Sequence, residues 1–307
     1  MPIVFKTQVA AKIEGTEGAA ETLAAADAFL AENAKFKSTI GVSQRNSYSA
    51  SLSPFAAIPG QRSAQIEFDV EVKGSGTAGT APVLGKLLKA CGFGETVAAG
   101  TSVTYKPASS GISSMTLALY MDGVIKKIWG ARGDVSLKLE NGKPAYLHFV
   151  FTGADFSVAD GALLANVTYE ATTPPPFMNA TFTIDSYAAL IASMNISMGN
   201  TVALRPDVNA LSGHKSAVIT KRDPKLTYDP ELPTVAAYDF YGKLRSGAQG
   251  ALTLALAGGA GNICTITAPK VQSVDISGAD RESFQTLGVD CQLNRNTGDD
   301  ELSIAFT

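Results

Sequence analysis

The residues with the clearest chemical potential are a glycine run, Gly74-Ser75-Gly76-Thr77-Ala78-Gly79-Thr80, a few positions ahead of Gly85-Lys86. A phosphate-binding loop cradles phosphate with backbone N–H groups, and needs a leading glycine and a hydroxyl after its lysine to hold magnesium. Thr80 stands at the glycine position and Leu87 at the hydroxyl position, so the run reads as a flexible connection between a strand and a helix. The two histidines, His148 and His214, give little material for a triad or a metal cluster, since a general base needs a positioned partner. His148 falls on the polar face of the alternating segment Tyr146–Val150, and His214 aligns with Gln61 in a repeated segment. Arg132-Gly133-Asp134 has the form of an adhesion tripeptide, but is expected to be a turn between two strands, where glycine tolerates positive φ. The sequons at Asn166, Asn179 and Asn195 are silent without secretion. Asp299-Asp300-Glu301 is expected to face solvent in a polar loop. No catalytic, cofactor-binding or metal-binding set is expected.

Composition points the same way. Net charge is −3, from 25 basic and 28 acidic residues, whereas a protein that grips nucleic acid through phosphates needs a basic face. The apolar runs fall short of the ~20 residues of a membrane span, and Met1–Lys6 lacks the form of a signal peptide. Cys91, Cys264 and Cys291 are widely spaced and read as reduced, buried residues of a cytoplasmically made chain.

Short strands dominate the pattern that must position all of this. In Ala64–Lys73 apolar residues take every even position, the period-2 signature of a half-buried strand. Pro82–Gly92 reads as one short helix with proline in its first turn and glycine at its stop. Met115–Met121 and Val124–Trp129 flank Asp122-Gly123, and Val135–Glu140 and Ala145–Thr152 flank Asn141-Gly142, two hairpin-turn pairs. Residues 17–33 are Ala-rich and read as an extended arm with one short turn. Further on, Gly213–Leu226 is a strand region, Tyr238–Leu244 a helix, and Leu252–Ala257, Asn262–Thr267, Val271–Ser277 and Phe284–Leu293 are strands.

The chain also repeats itself. Thr116-Leu117-Ala118-Leu119 recurs as Thr253-Leu254-Ala255-Leu256, and Ser136 faces Ser273 at the same spacing. Gly60–Ile66 recurs as Gly213–Ile219, and Gly85-Lys86-Leu87 as Gly242-Lys243-Leu244, in unchanged order. The predicted fold is therefore mainly β: two tandem β-sandwich or rolled-sheet domains, each with one short flanking α-helix. The arm and first domain span residues 1–170, a Pro-rich connector 171–178, and the second domain 179–307. The copies are unequal, because the second lacks the Gly-Ser-Gly loop and carries Pro224 and Pro230.

An arm with Glu14-Gly15-Thr16, the segment Ala24–Asn33, an alternating strand running into Gly74–Pro82, and the helix Leu84–Phe93 follow one another. Over residues 12–95 this resembles the major tail tube proteins of long-tailed bacteriophages. The resemblance implies tail-tube-like domains whose sheets join those of their neighbours around a channel, in six-fold rings stacked into a tube through which DNA leaves the virion. It implies homo-oligomerisation, a tape measure protein and viral DNA in the lumen without specific binding, a tail terminator and a distal tail protein at the ends, and no membrane or cofactor. Three chains of two units each would close a pseudo-six-fold ring. Contacts between rings are expected from residues 1–40 and from the loops Ser49–Gln61 and Leu204–Gly213, and the polar face bearing Asp69 and Glu71 is expected toward the channel. A terminator or baseplate ring component is the alternative in the same class. A carbohydrate- or host-surface-binding module is weaker, since such modules expose aromatic platforms and Trp129, the only tryptophan, falls within a predicted strand.

Overall fold

The computed structural model describes Ile3 and residues 5–307. The first half runs β1 Thr7–Ile13, β2 Ala28–Phe29, β3 Glu32–Ser43, β4 Ile58–Glu71, α1 Gly85–Ala90, β5 Phe93–Ala98, β6 Ser102–Pro107, β7 Met115–Met121, β8 Gly123–Glu140, β9 Tyr146–Gly153 and β10 Asp155–Gly161. The second runs β11 Thr181–Ile184, β12 Ser193–Ser197, β13 Thr201–Pro206, β14 His214–Lys221, β15 Lys225–Tyr228, α2 Phe240–Ser246, β16 Gln249–Leu256, β17 Cys264–Arg281, β18 Phe284–Leu293 and β19 Ser303–Phe306. The fold is mainly β, with two short helices.

One continuous antiparallel run, β3-β4-β9-β8-β12-β15-β18-β17, spans both halves and contains eight strands. Its inner face carries Ile66, Phe68, Phe149, Phe151, Leu137, Met194, Leu226 and Val289, all buried. Period-2 alternation produces this face, and Ala64 to Val70 of β4, with Val72 just beyond it, bury every even position as the sequence predicts. Packed against it are β1, β7 and β10 of the first half, with β7 and β10 paired to the N-terminal part of β8. In the second half β16 and β19 pair with the N-terminal part of β17 in the same way, and β11 pairs with β16. Most buried apolar side chains of both halves form one hydrophobic cluster, and Ala10, Leu23, Ala28, Ala118 and Tyr120 form a second, smaller one.

The pairing order of the first half recurs in the second. The sequence β1-β7-β8-β9-β4-β3 has its counterpart in β11-β16-β17-β18-β15-β12, with β14-β13 continuing the last two. The counterpart of β4 is broken at residues 222–224, where Pro224 lacks the N–H a ladder needs. The β5–β6 hairpin has no counterpart, and β6 pairs instead with β19 of the other half.

Several expectations are corrected. β1 is no arm: it pairs with β7 from Thr7 opposite Met121 to Ile13 opposite Met115, and Val9, Ala10 and Ala11 are all buried. Burial on both faces erases the alternation that would have marked it. Residues 124–129 and 135–140 belong to one eighteen-residue strand, β8, and residues 262–277 fall largely within β17, equally long. Arg132-Gly133-Asp134 therefore lies inside a strand. Gly133 is needed there because a Cβ would sit 2.7 Å from the Phe151 ring on β9. The first helix is confined to Gly85–Ala90, ending at Gly92 with φ of 85°. The expected ring-contact loops are shorter than drawn, since Ile58–Gln61 lies in β4 and Leu204–Pro206 in β13.

Candidate assembly surfaces

The joint between the halves is built first from strand pairing. The C-terminal end of β8 pairs with β12, from Ser136 opposite Ser197 to Glu140 opposite Ser193. Just beyond, Asn200 donates from Nδ2 to the carbonyl oxygens of Cys91 and Gly133, at 2.8 and 3.1 Å, and its backbone N–H donates to Asp134 Oδ1. Burial raises the Asp134 carboxyl above its ordinary value, against the backbone hydrogen bonds from Asn200 and Val135.

The glycine run proves to be a docking surface. Gly74 N–H donates to Asn262 Oδ1 at 2.7 Å and Gly76 N–H to the carbonyl of Gly261 at 3.1 Å. A Cβ on Gly74 would stand 2.0 Å from the Gly261 oxygen, and one on Gly261 would stand 2.2 Å from the Thr77 nitrogen. Two backbones thus meet where no side chain fits, which is the other use of glycine-rich sequence. Sequence reading missed this because Gly258-Gly259 and Gly261, on the partner loop, lie far away in the chain.

The acidic segment near the C-terminus is likewise structural. Arg222 Nε pairs with Glu301 Oε1 at 3.0 Å, and Arg222 Nη2 bonds Asp299, which also accepts from Ser109 of the first half. Asp300 accepts from the N–H groups of Asn296, Thr297 and Gly298, and those bonds hold its carboxyl far below the usual carboxylate range. Glu301 is buried, correcting the expectation that all three acids face solvent. Arg132 pairs with Glu17 Oε1 at 2.7 Å and bonds the carbonyls of Ile112 and Ala217. Glu17 also accepts from Ser216, so the first-half turn after β1 is tied to β14.

The outer face of the eight-strand sheet is polar. It carries Lys35 and Lys37 on β3, Glu67, Asp69 and Glu71 on β4, His148 on β9, Asp134, Lys138 and Glu140 on β8, Lys225 on β15, Asp290 on β18 and Asp275 on β17. Acidic side chains outnumber lysines, and Lys35 is paired with Glu67 at 3.0 Å. His148 Nδ1 lies 2.7 Å from Asp69 Oδ1, and Asn33 Nδ2 donates to Asp69 Oδ2 at 2.7 Å. Burial pushes the Asp69 carboxyl up, but those two hydrogen bonds outweigh it and hold the group below its usual range. Glu71 faces Lys73 at 3.4 Å. His214 opens β14, opposite Pro206, and its Nδ1 is buried without a partner. The two histidines share no site, and among the described residues no three His, Cys, Asp or Glu groups form a metal-binding cluster.

Two hairpin tips project from equivalent places. Residues 44–57 join β3 to β4 and expose Tyr48 and Leu52 fully; residues 207–213 join β13 to β14 and expose Val208 and Leu211. The tips meet at their bases, where Arg62 N–H donates to the carbonyl of Ser212. Apolar side chains held out on paired hairpins are a feature of contact surfaces.

The described residues thus form a mainly-β chain with interlocked halves, open sheet edges and apolar hairpin tips. The sequence matches the phage tail tube protein family over residues 5–297, and the chain belongs to that family. It is accordingly a component of the virion tail, in a family whose members assemble with themselves and other tail components. No curated protein matches the sequence. Among the described residues no helix is long and apolar enough to cross a membrane.

Proposed function

We propose that this chain is the subunit of the tube shaft, and that three copies close a ring of six topologically alike units that stack into a DNA-conducting tube. The observation that carries this reading is the recurrence of one pairing order across the two halves, within a sheet whose end strands, β3 and β17, lie at opposite edges. A repeated unit already joined head to tail inside the chain supplies three of the six joints in a ring of three copies. Three copies of the eight-strand run would give a closed sheet of 24 strands. At ~4.8 Å between strands and ~40° of tilt its backbone diameter is about 48 Å, room for a duplex to pass. With the polar face inward, the excess of carboxylates over lysines leaves phosphate few sticking points. The apolar tips at 44–57 and 207–213 then meet the adjacent ring, and residues 1–170 and 179–307 act as the two units.

Negative-stain imaging and native mass measurement of the purified chain test this. Rings of three copies that stack at high concentration are expected. Rings of six chains would overturn the three-copy arrangement, and one ring per particle, counted by tail proteomics, would make the chain a terminator or baseplate component instead.

A further inference from the structure

Residues 273–281 of β17 pair only with β18, and β3 pairs only with β4, so each end of the eight-strand run leaves one edge without a partner among the described residues. Such edges recruit further strands unless they are covered. The molecule holds a template for what covers them, because the same kinds of edge meet inside the chain at the β8–β12 joint.

The two sides can be matched residue by residue. On one side, Leu137 lies opposite Leu147 and Lys138 opposite Tyr146, while Ser273 lies opposite Cys291 and Asp275 opposite Asp290. β17 thus follows β8 with one extra residue, Val274, bulged out between the matched positions. On the other side, Ser197 lies opposite Lys225, which faces Gln292. Glu32 lies opposite Asp69, which faces His148. The segment 28–32 is therefore the counterpart of β12 in register, with its first two residues, Ala28 and Phe29 of β2, also paired to Ala10 and Val9 of β1. A left-handed residue follows each segment, though one place apart: Asn33, φ of 53°, comes directly after Glu32, and Gly199, φ of 58°, two residues after Ser197. Phe29 and Met194, at matching places, are both buried.

We propose that β17 of one copy pairs antiparallel with residues 28–32 of a second copy, repeating the β8–β12 register, so that Ala31 faces Ser273, Leu30 faces Asp275 and Phe29 faces Ile276. This rests on the ring reading above and specifies which edges close the ring. The exposure of the apolar side chains at the two edges agrees with it: Leu30 is 47% exposed and Val274 57%. In the proposed pairing they come to the same stretch of joint, where each loses part of its exposure to the facing strand.

The test is cross-linking of the Leu30→Cys/Asp275→Cys double variant in the full chain. The three native cysteines are buried and do not compete. Oxidation is expected to give covalent dimers and trimers on non-reducing gels, with each single variant unlinked. As a second measurement, Val274→Glu is expected to raise the concentration needed for assembly at least tenfold, with the melting temperature of the isolated chain unchanged. Rings that form while this pair stays unlinked, and while Val274→Glu assembles normally, overturn the edge assignment and leave the ring reading standing. A control pair, Leu30→Cys/Val158→Cys, that links in its place would have the same consequence and would point to β10. A wild-type chain that stays monomeric at every concentration overturns both.

Discussion

Helices α1 and α2 share the tripeptide Gly-Lys-Leu, at the start of the first and two residues into the second, yet they live in different surroundings. Leu84, Leu87, Leu88 and Ala90 of the first are all buried, and Lys86 reaches the carbonyl of Asp27 at 2.8 Å. In the second only Phe240 is buried, and Leu244, the counterpart of Leu87, is half-exposed. The ends of β1 and β11 differ likewise. Glu14 and Asp185 both follow their strand and both donate a backbone N–H to the strand opposite, at Ser114 and Ala251. Glu14 is buried and accepts from Gly18 N, Gly130 N, Ser114 Oγ and Thr116 Oγ1; Asp185 pairs with Lys243 at the surface. The core of the first half is thus closed by its own chain, with the β5–β6 hairpin and the second half packed around it, although the outer edge of β3 is open. The second half is left with an exposed helix as well as an open β17 edge. In the proposed ring these are the surfaces a neighbouring copy would cover.

The comparison breaks most visibly at Glu14. Glu14→Ala orphans several buried donors at ~1–3 kcal/mol each and is expected to cost roughly 4 kcal/mol, read as the shift of a urea midpoint. Asp185→Ala removes a surface pair and is expected to cost under about 1 kcal/mol. Equal losses would mean that the halves are equally self-sufficient. Next in size, Leu87→Ala should destabilise the isolated chain by about 3 kcal/mol. Leu244→Ala should cost about a third of that there, and show its main effect on assembly. A chain whose melting fell as far with Leu244→Ala would contradict the view of α2 as an unfinished surface. Gly261→Ala should cost about 2 kcal/mol, since its φ of 78° and the Thr77 nitrogen both oppose a Cβ. Hydrogen exchange should show the glycine loops opening in that variant before the core.

The smallest effect concerns pH. The hydrogen bond from Arg132 first, and that from Ser216 after it, hold the Glu17 carboxyl below its usual value against burial. A group depressed on folding adds stability that is complete above its unfolded value, ~4.3, and is lost as pH falls through the folded one. Glu17→Gln should therefore lose less stability than the wild type between pH 5 and pH 3, measured by thermal melts. The thiols give a parallel check on the core: burial pushes Cys264 and Cys291 up to about 12, so thiol reagents at pH 8 should label neither before unfolding.

What could be read along the chain was whatever local chemistry fixes. The alternation in Ala64–Val72 gave a strand because period 2 follows from the pleat, and Asp122-Gly123 and Asn141-Gly142 gave hairpins because Gly123 and Gly142 adopt positive φ. The Gly-Lys-Leu echo marked both helices, and the glycine loop with the Leu-Leu-x-Ala-Cys-Gly helix marked the family. β1 escaped because a strand buried on both faces has no polar side to alternate with. The unity of β8 escaped because Gly130 and Gly133 read as breaks, whereas close approach to Ala154 and Phe151 requires them.

Most of the strands, the hairpin turns and the echo between the halves follow from the chain's local pattern, since each depends on neighbours a few residues apart. That the glycine run is a seat for Gly261, that Asp299 and Glu301 clasp Arg222, and that β8 receives β12 emerges from the folded chain alone. Those contacts join residues far apart in the chain, and no local pattern encodes which backbone will be brought against which. The same holds for the two edges left open, which become visible only once every other strand has found its neighbour.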